Sequence, residues 1–123
     1  MIESTGGTLD SILKQLLASI PEVKSAAIVS VEGLPIASAL PQGVDETRIA
    51  AMTAAILSLG ERAAHEMKKG DLEQIMVKGS DGVLLVLAAG SNAVLTVSTT
   101  KEVRLGLIFL DCKRTCEKIA RLI

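Results

Sequence analysis

Few residues in this chain could do chemistry, and their spacing decides what kind. Cys112 and Cys116 stand four apart in a stretch that reads as helix. Parallel side chains one turn apart cannot readily close a disulfide, and without a second Cys/His pair they fall short of the four ligands of a structural zinc. They read as reduced thiols in a core seam. His65 is a lone histidine on the polar side of a long helix, with no nucleophile at a useful spacing, and reads as a solvated surface residue. Glu61 and Glu66, five apart, point about 140° away from each other around a helix and form no acid–base pair. The glycines sit in turns, and the chain has no Gly-x-x-x-x-Gly-Lys-Ser/Thr run to hold nucleotide phosphates. Arginine remains, since a guanidinium can lend charge to a partner's transition state; Arg48 and Arg62 border the helix face discussed below. No catalytic residue, metal site or cofactor site is expected, and the chain reads as a binding module.

Composition narrows the partners. With 123 residues the chain is long enough for one domain and one core. Hydrophobic residues make up 49% and aromatic residues 1%, so the core is aliphatic and there is no platform for stacking bases. The 13 basic and 14 acidic residues are mixed along the chain, which gives no basic stripe for nucleic acid. The longest apolar run, Val83 to Ala89, is far below the ~20 residues of a membrane helix. A cytoplasmic protein with no direct membrane insertion is expected.

The elements that must position these residues follow from periodicity. Residues 1–7 read as a loose arm and 8–123 as a single domain. Thr8 is the expected N-cap of a helix carrying Leu9, Ile12, Leu13, Leu16, Leu17 and Ile20, closed by Pro21. Val23 to Val31 is a strand apolar on both faces, and Leu34 to Ala39 is its partner, kept near an edge by Pro35. Asp45 caps a long helix, Glu46 to Lys69, stopped by Gly70. Three strands follow, Leu72 to Lys78, Val83 to Ala89 and Val94 to Ser98, joined by short turns. Thr99 and Glu102 read as a capping box opening a last helix to about Leu122. Its expected apolar seam is Leu105, Phe109, Cys112, Cys116, Ile119 and Ile123, with Val103, Leu107 and Leu110 alongside. The fold class is therefore α+β in three layers, α/β/α, with one five-stranded antiparallel sheet in the order 2-1-5-4-3 and helices on both faces.

The long helix and the strand after it organise the rest. At 100° per residue one side of the helix carries Ile49, Met52, Thr53, Ile56, Leu57, Leu59, Gly60, Ala63, Ala64 and Met67, wide enough for the sheet and a second helix. The opposite side is divided, with Ala51, Ala54, Ala55 and Ser58 in its first half and Glu61, Arg62, His65, Glu66 and Lys69 in its second, and the small-residue half reads as a landing surface for another protein. Leu72 to Lys78 has no proline or glycine to blunt its edge. Two copies pairing there would form a homodimer through Ile49, Met52, Ile56, Gly60, Ala63, Leu72, Gln74, Met76 and Lys78, with Gly60 and Ala63 admitting close helix approach.

The run Leu9 to Pro21, the hairpin AAIVSVEGLPIAS (Ala26 to Ser38), the Ala-rich helix ending at Gly70 and the closing TTKEVRLGLIFLDCKRTCEKIARLI (Thr99 to Ile123) together resemble the Roadblock/dynein light chain family, in particular its prokaryotic members. The resemblance covers nearly the whole chain. It implies a profilin-like sheet flanked by three helices, and a dimer joined through the third strand and second helix. It also implies a partner, a small Ras-like GTPase bound across the paired second helices at Ala51, Ala54, Ala55, Ser58 and Arg62. The protein would act as a regulator, possible activator or effector of that GTPase. The alternative is a light-chain-like structural adaptor in a larger assembly, with no effect on GTP hydrolysis.

Overall fold

The computed structural model describes residues 5–123, with side chains from Thr8 onward. The elements are α1 (Thr5–Ser19), β1 (Val23–Ser30), β2 (Pro35–Ala39), α2 (Glu46–Glu66), β3 (Ile75–Gly79), β4 (Gly82–Ala89), β5 (Ala93–Thr100) and α3 (Leu105–Leu122). The strands form one antiparallel sheet in the order β2-β1-β5-β4-β3, as expected. Of the expected N-terminal arm, Met1–Ser4 lie outside the described residues, while Thr5–Gly7 open α1, so Thr8 lies inside the helix.

Burial follows from which strands are apolar on both faces. Ala26, Ala27, Ile28 and Val29 of β1 are all buried, as are Leu85, Val86 and Leu87 of β4, so both strands need cover on each side. On one side α1 and α3 supply it, with Leu9, Leu13, Ile108, Cys112 and Ile119 packed on Ile28, Leu85, Leu95 and Val97. On the other side α2 packs over Ala27, Val29, Val86 and Val94. Pro35 lies opposite Val29 on the outer strand, where its missing N–H leaves no gap in a ladder.

Asp45 caps α2 as expected, its carboxylate accepting from the amides of Thr47 (3.0 Å) and Arg48 (3.3 Å). The helix ends at Glu66, three residues before the expected Lys69. The chain turns through Lys68 at φ 59°, a left-handed position, with Gly70 also left-handed at φ 85°. Two further boundaries depart from expectation. The third strand begins at Ile75, so Leu72, Glu73 and Gln74 belong to the connection. There is no Thr99–Glu102 capping box, because β5 runs on through Thr100. The Thr99 hydroxyl donates to the Thr100 carbonyl (3.0 Å), and the Thr100 hydroxyl donates to the Glu102 carbonyl (3.1 Å). α3 begins after Arg104, and its inner face is Ile108, Cys112, Thr115, Cys116 and Ile119; Leu107, Leu110 and Ile123, expected on or beside the seam, are exposed.

Candidate functional site

The site is built on α2 and on the strand that follows it. The inner face of α2 buries Ala50, Thr53 and Leu57, so the sheet-facing line is centred nearer Ala50 than Ile49. Ile49, Ile56, Gly60 and Ala64 are half-buried along one flank. Beyond them the flank is open, with Met52 at 49%, Leu59 at 64% and Met67 at 69% exposure. Met52, Ile56, Leu59 and Ala63 recur at four-three-four spacing and so line one strip of that flank. Sequence reasoning assigned Leu59 and Met67 to the packed stripe and overlooked this spacing.

β3 lies beside that flank at the sheet margin. Val77, which sequence reasoning missed, faces the α2 side because its cross-strand neighbour is Leu84, itself packed in the α2-side cluster. Met76 pairs with Leu85 and faces the other side; Met76 and Val77 are each 46% exposed. Gly60 is not available to a partner helix. A Cβ there would collide with Ile75 Cδ1 and lie 3.3 Å from Leu72 Cδ2, so the glycine serves the close approach of the chain's own connection and strand. Leu72 is half-buried against the same cluster, whereas Gln74 and Lys78 are exposed.

The opposite flank carries the small-residue shelf, with Arg62 as its charged end. Ala51, Ala55, Ser58 and Arg62 are exposed, and Ala54 is half-buried. The hairpin between β1 and β2 leans on its upper end: at Gly33, φ +94°, a Cβ would stand 3.5 Å from Ala51 Cα and 3.7 Å from Ala54 Cβ. Ala54 thus belongs partly to the fold, and the open shelf consists of the other four.

The groups considered for chemistry are not assembled for it. The His65 imidazole stands 3.9 Å from the Asp71 carboxylate, both exposed, with no nucleophile in the pairing. Burial, with a smaller contribution from Asp111, pushes the Cys112 thiol up to about 12; burial followed by Cys112 and Glu117 does the same for Cys116. Both therefore remain neutral thiols at physiological pH, unsuited to nucleophilic attack. Among the described residues no group of three or more His, Cys, Asp or Glu side chains could hold a metal ion. An open groove of about 620 Å³ runs between α3 and the Glu73–Gln74 stretch over Leu87 and Phe109, and its thiol is the neutral Cys116. No helix among the described residues is long and apolar enough to cross a membrane.

Known proteins share this fold. The Roadblock/LC7 domain family model matches residues 9–99. Two uncharacterised proteins of Methanocaldococcus jannaschii are similar. One is 42% identical over 97 residues, 79% of this chain and 84% of the relative; the other is 38% identical over 119 residues, 97% of each. Among solved structures, MglB from Myxococcus xanthus superposes with a TM-score of 0.87 at 23% identity over 100% of this chain and 96% of the other. A Schizosaccharomyces pombe profilin gives 0.68 at 12% identity over 93% and 98%. At these identities the structures speak for the fold alone, and the profilin match agrees with the expected profilin-like sheet. From its family match and its relatives, the chain belongs to the Roadblock/LC7 domain family.

Proposed function

We propose that this chain is a non-enzymatic homodimer that regulates or serves as effector for a small Ras-like GTPase, bound across two paired α2 helices. One observation carries the reading: an apolar helix flank, Met52, Leu59 and Met67, adjoins an unblunted strand margin on the same side of the molecule as Val77. Fully burying one such side chain is worth roughly 1.5–3 kcal/mol, and these are already partly covered. A few of them alone barely match the cost of association, which is at least about 4 kcal/mol. The strand margin and the flank must therefore act together, β3 pairing with its twin while the α2 helices meet above. Of the residues expected at that interface, Met52, Ala63, Gln74, Met76 and Lys78 are accessible, while Ile49, Ile56 and Leu72 are half-buried. Gly60 is taken up internally, and Leu59, Met67 and Val77 join the set.

Pairing of this kind brings the two shelves to the same side, where Ala51, Ala55, Ser58 and Arg62 of each copy form a broad, nearly uncharged surface. Small side chains let a partner's backbone come close, so binding there would act by positioning the partner's own groups. Arg62 is the residue that could also lend charge.

The reading is tested by mixing the chain with a Ras-like GTPase from the same genome and following phosphate release. Accelerated release, lost in Ala55→Arg at unchanged dimer mass, is expected. If Arg62→Ala slows hydrolysis while binding is kept, Arg62 acts on the reaction; equal loss of both makes it an ordinary contact. Binding with no change in hydrolysis would exclude an activator and leave the effector or the structural adaptor. No binding at all would overturn the regulator and effector reading.

A further inference from the structure

The contact beneath α2 is unusual. Where α1 and α3 pack, the two central strands present Ala26 and Ile28 of β1 and Leu95 and Val97 of β5, all buried and apolar. Beneath α2 the same strands present Ser25, Ala27 and Val29, paired with Ser98, Thr96 and Val94. Ser25 and Ser98 hydrogen-bond to each other through their hydroxyls. Thr96, only 3% exposed, has no partner for its Oγ1. It sits between Ala27 and Val86, both in the cluster under α2. A buried, unanswered hydroxyl is unfavourable to the packed state, and it is relieved when the element above moves or water enters. From above, α2 offers one large fully buried side chain, Leu57, with Ala50 and Thr53 beside it and Ile56 half-buried at the flank.

The ends of α2 are better secured. At the start, Asp45 caps the helix and the Ser38 hydroxyl donates to the Glu46 carboxylate at 2.5 Å. Toward the end, Ile75 and Leu72 close over Gly60.

We infer that the middle of α2, loosely seated over Thr96 between secured ends, opens locally more often than the middle of α3, so that the surface it carries can adjust to a partner. The inference deepens the proposed function, because α2 carries the partner shelf and the dimer flank. It is tested on the chain alone, so it can fail while partner binding stands, and the reverse. Sites that must adjust to a partner are drawn from the less stable parts of a fold, and here the cause is local and named.

The test is amide hydrogen exchange of the whole chain, comparing the middle of α2, Thr53 to Leu57, with the middle of α3, Cys112 to Cys116. In the native chain the α2 amides should exchange about tenfold or more faster. Thr96→Val keeps the side-chain shape and removes the hydroxyl; it should slow the α2 amides about tenfold and leave α3 unchanged. Thr96→Ala serves the same comparison if the valine variant does not fold. Equal exchange in α2 and α3, a fast α2 that both substitutions leave unaltered, or equal slowing of both helices would overturn the inference.

Discussion

The two margins of the sheet are both apolar, yet they are closed to different degrees. At the β2 margin Leu34 is 64% and Ile36 37% exposed, but Pro35 removes a backbone donor and the register slips between Ile28 and Val29. At the β3 margin Met76 and Val77 are each 46% exposed, and the five residues Ile75–Gly79 contain no proline. Exposed apolar side chains alone therefore do not mark an interface. What separates the margins is whether the backbone can take another strand and whether a helix flank of matching character stands beside it. Only the β3 margin is flanked by Met52 and Leu59.

The comparison breaks most sharply if β3 is made to resemble β2. Ser80 and Asp81 form a two-residue turn, so Gly79 and Gly82 close the hairpin as a hydrogen-bonded pair, and alternation turns the Met76 and Lys78 amides outward. Met76→Pro should therefore leave the β3–β4 ladder intact while denying a twin strand its donor. Light scattering should find the variant at the single-chain mass with unchanged circular dichroism. Ile36→Ser, at the other margin, should not change the mass.

A matched pair of leucines sharpens the same point. Leu59 and Leu34 are both 64% exposed, one beside each margin. Leu59→Glu should weaken dimerisation at least about tenfold, about 1.4 kcal/mol, because it puts a carboxylate into the seam of each copy. Leu34→Glu should leave the dissociation constant unaltered, both variants being measured by sedimentation equilibrium.

Gly60→Ala asks whether the position of β3 depends on the helix. The gain of about 1 kcal/mol in helix propensity is set against overpacking of Ile75, which costs about 1–3 kcal/mol. A net loss of about 1 kcal/mol in urea unfolding is expected, together with a weaker dimer.

The smallest effect belongs to a control far from both margins. Arg104 donates from Nε to Glu22 Oε2 at 2.6 Å and from Nη2 to Oε1 at 2.9 Å, and the Thr100 amide donates to the Glu22 carbonyl at 2.9 Å. The Arg104 hydrogen bonds hold the Glu22 carboxyl at about 2, below its ordinary 4.5. The folded-state value is depressed, so the stability this pair contributes is present above pH 4.5 and is lost as pH falls toward about 2. Arg104→Met should flatten that acid limb of the unfolding curve and leave the dimer mass as it was.

How far the sequence could be read depends on the range of the interactions involved. Strand order was legible because Ala26 to Val29 and Val83 to Ala89 are apolar on both faces, and Pro35 fixes an edge. The Asp45 cap was legible because capping is local. The seating of α2 was not, since the choice between Ile49 and Ala50 as the inner line depends on how close the helix comes to small residues such as Ala27 on the sheet. Gly60 misled for a related reason: a small residue on a helix permits close approach, but spacing does not say by whom, and here it is Ile75 of the same chain. At the β5–α3 junction the Ser/Thr-x-x-Glu pattern is present, but Thr99 pairs across the sheet with Val23 and Val83 and stays in its strand. Where tertiary pairing competes with a local motif, the pairing prevails.

The central claim is that the β3 margin and the α2 flank are completed by a second copy. It is tested most directly by the mass of the untagged chain in light scattering at micromolar concentration. A value twice the 12.8 kDa of one chain is predicted, and a value of 12.8 kDa would contradict it.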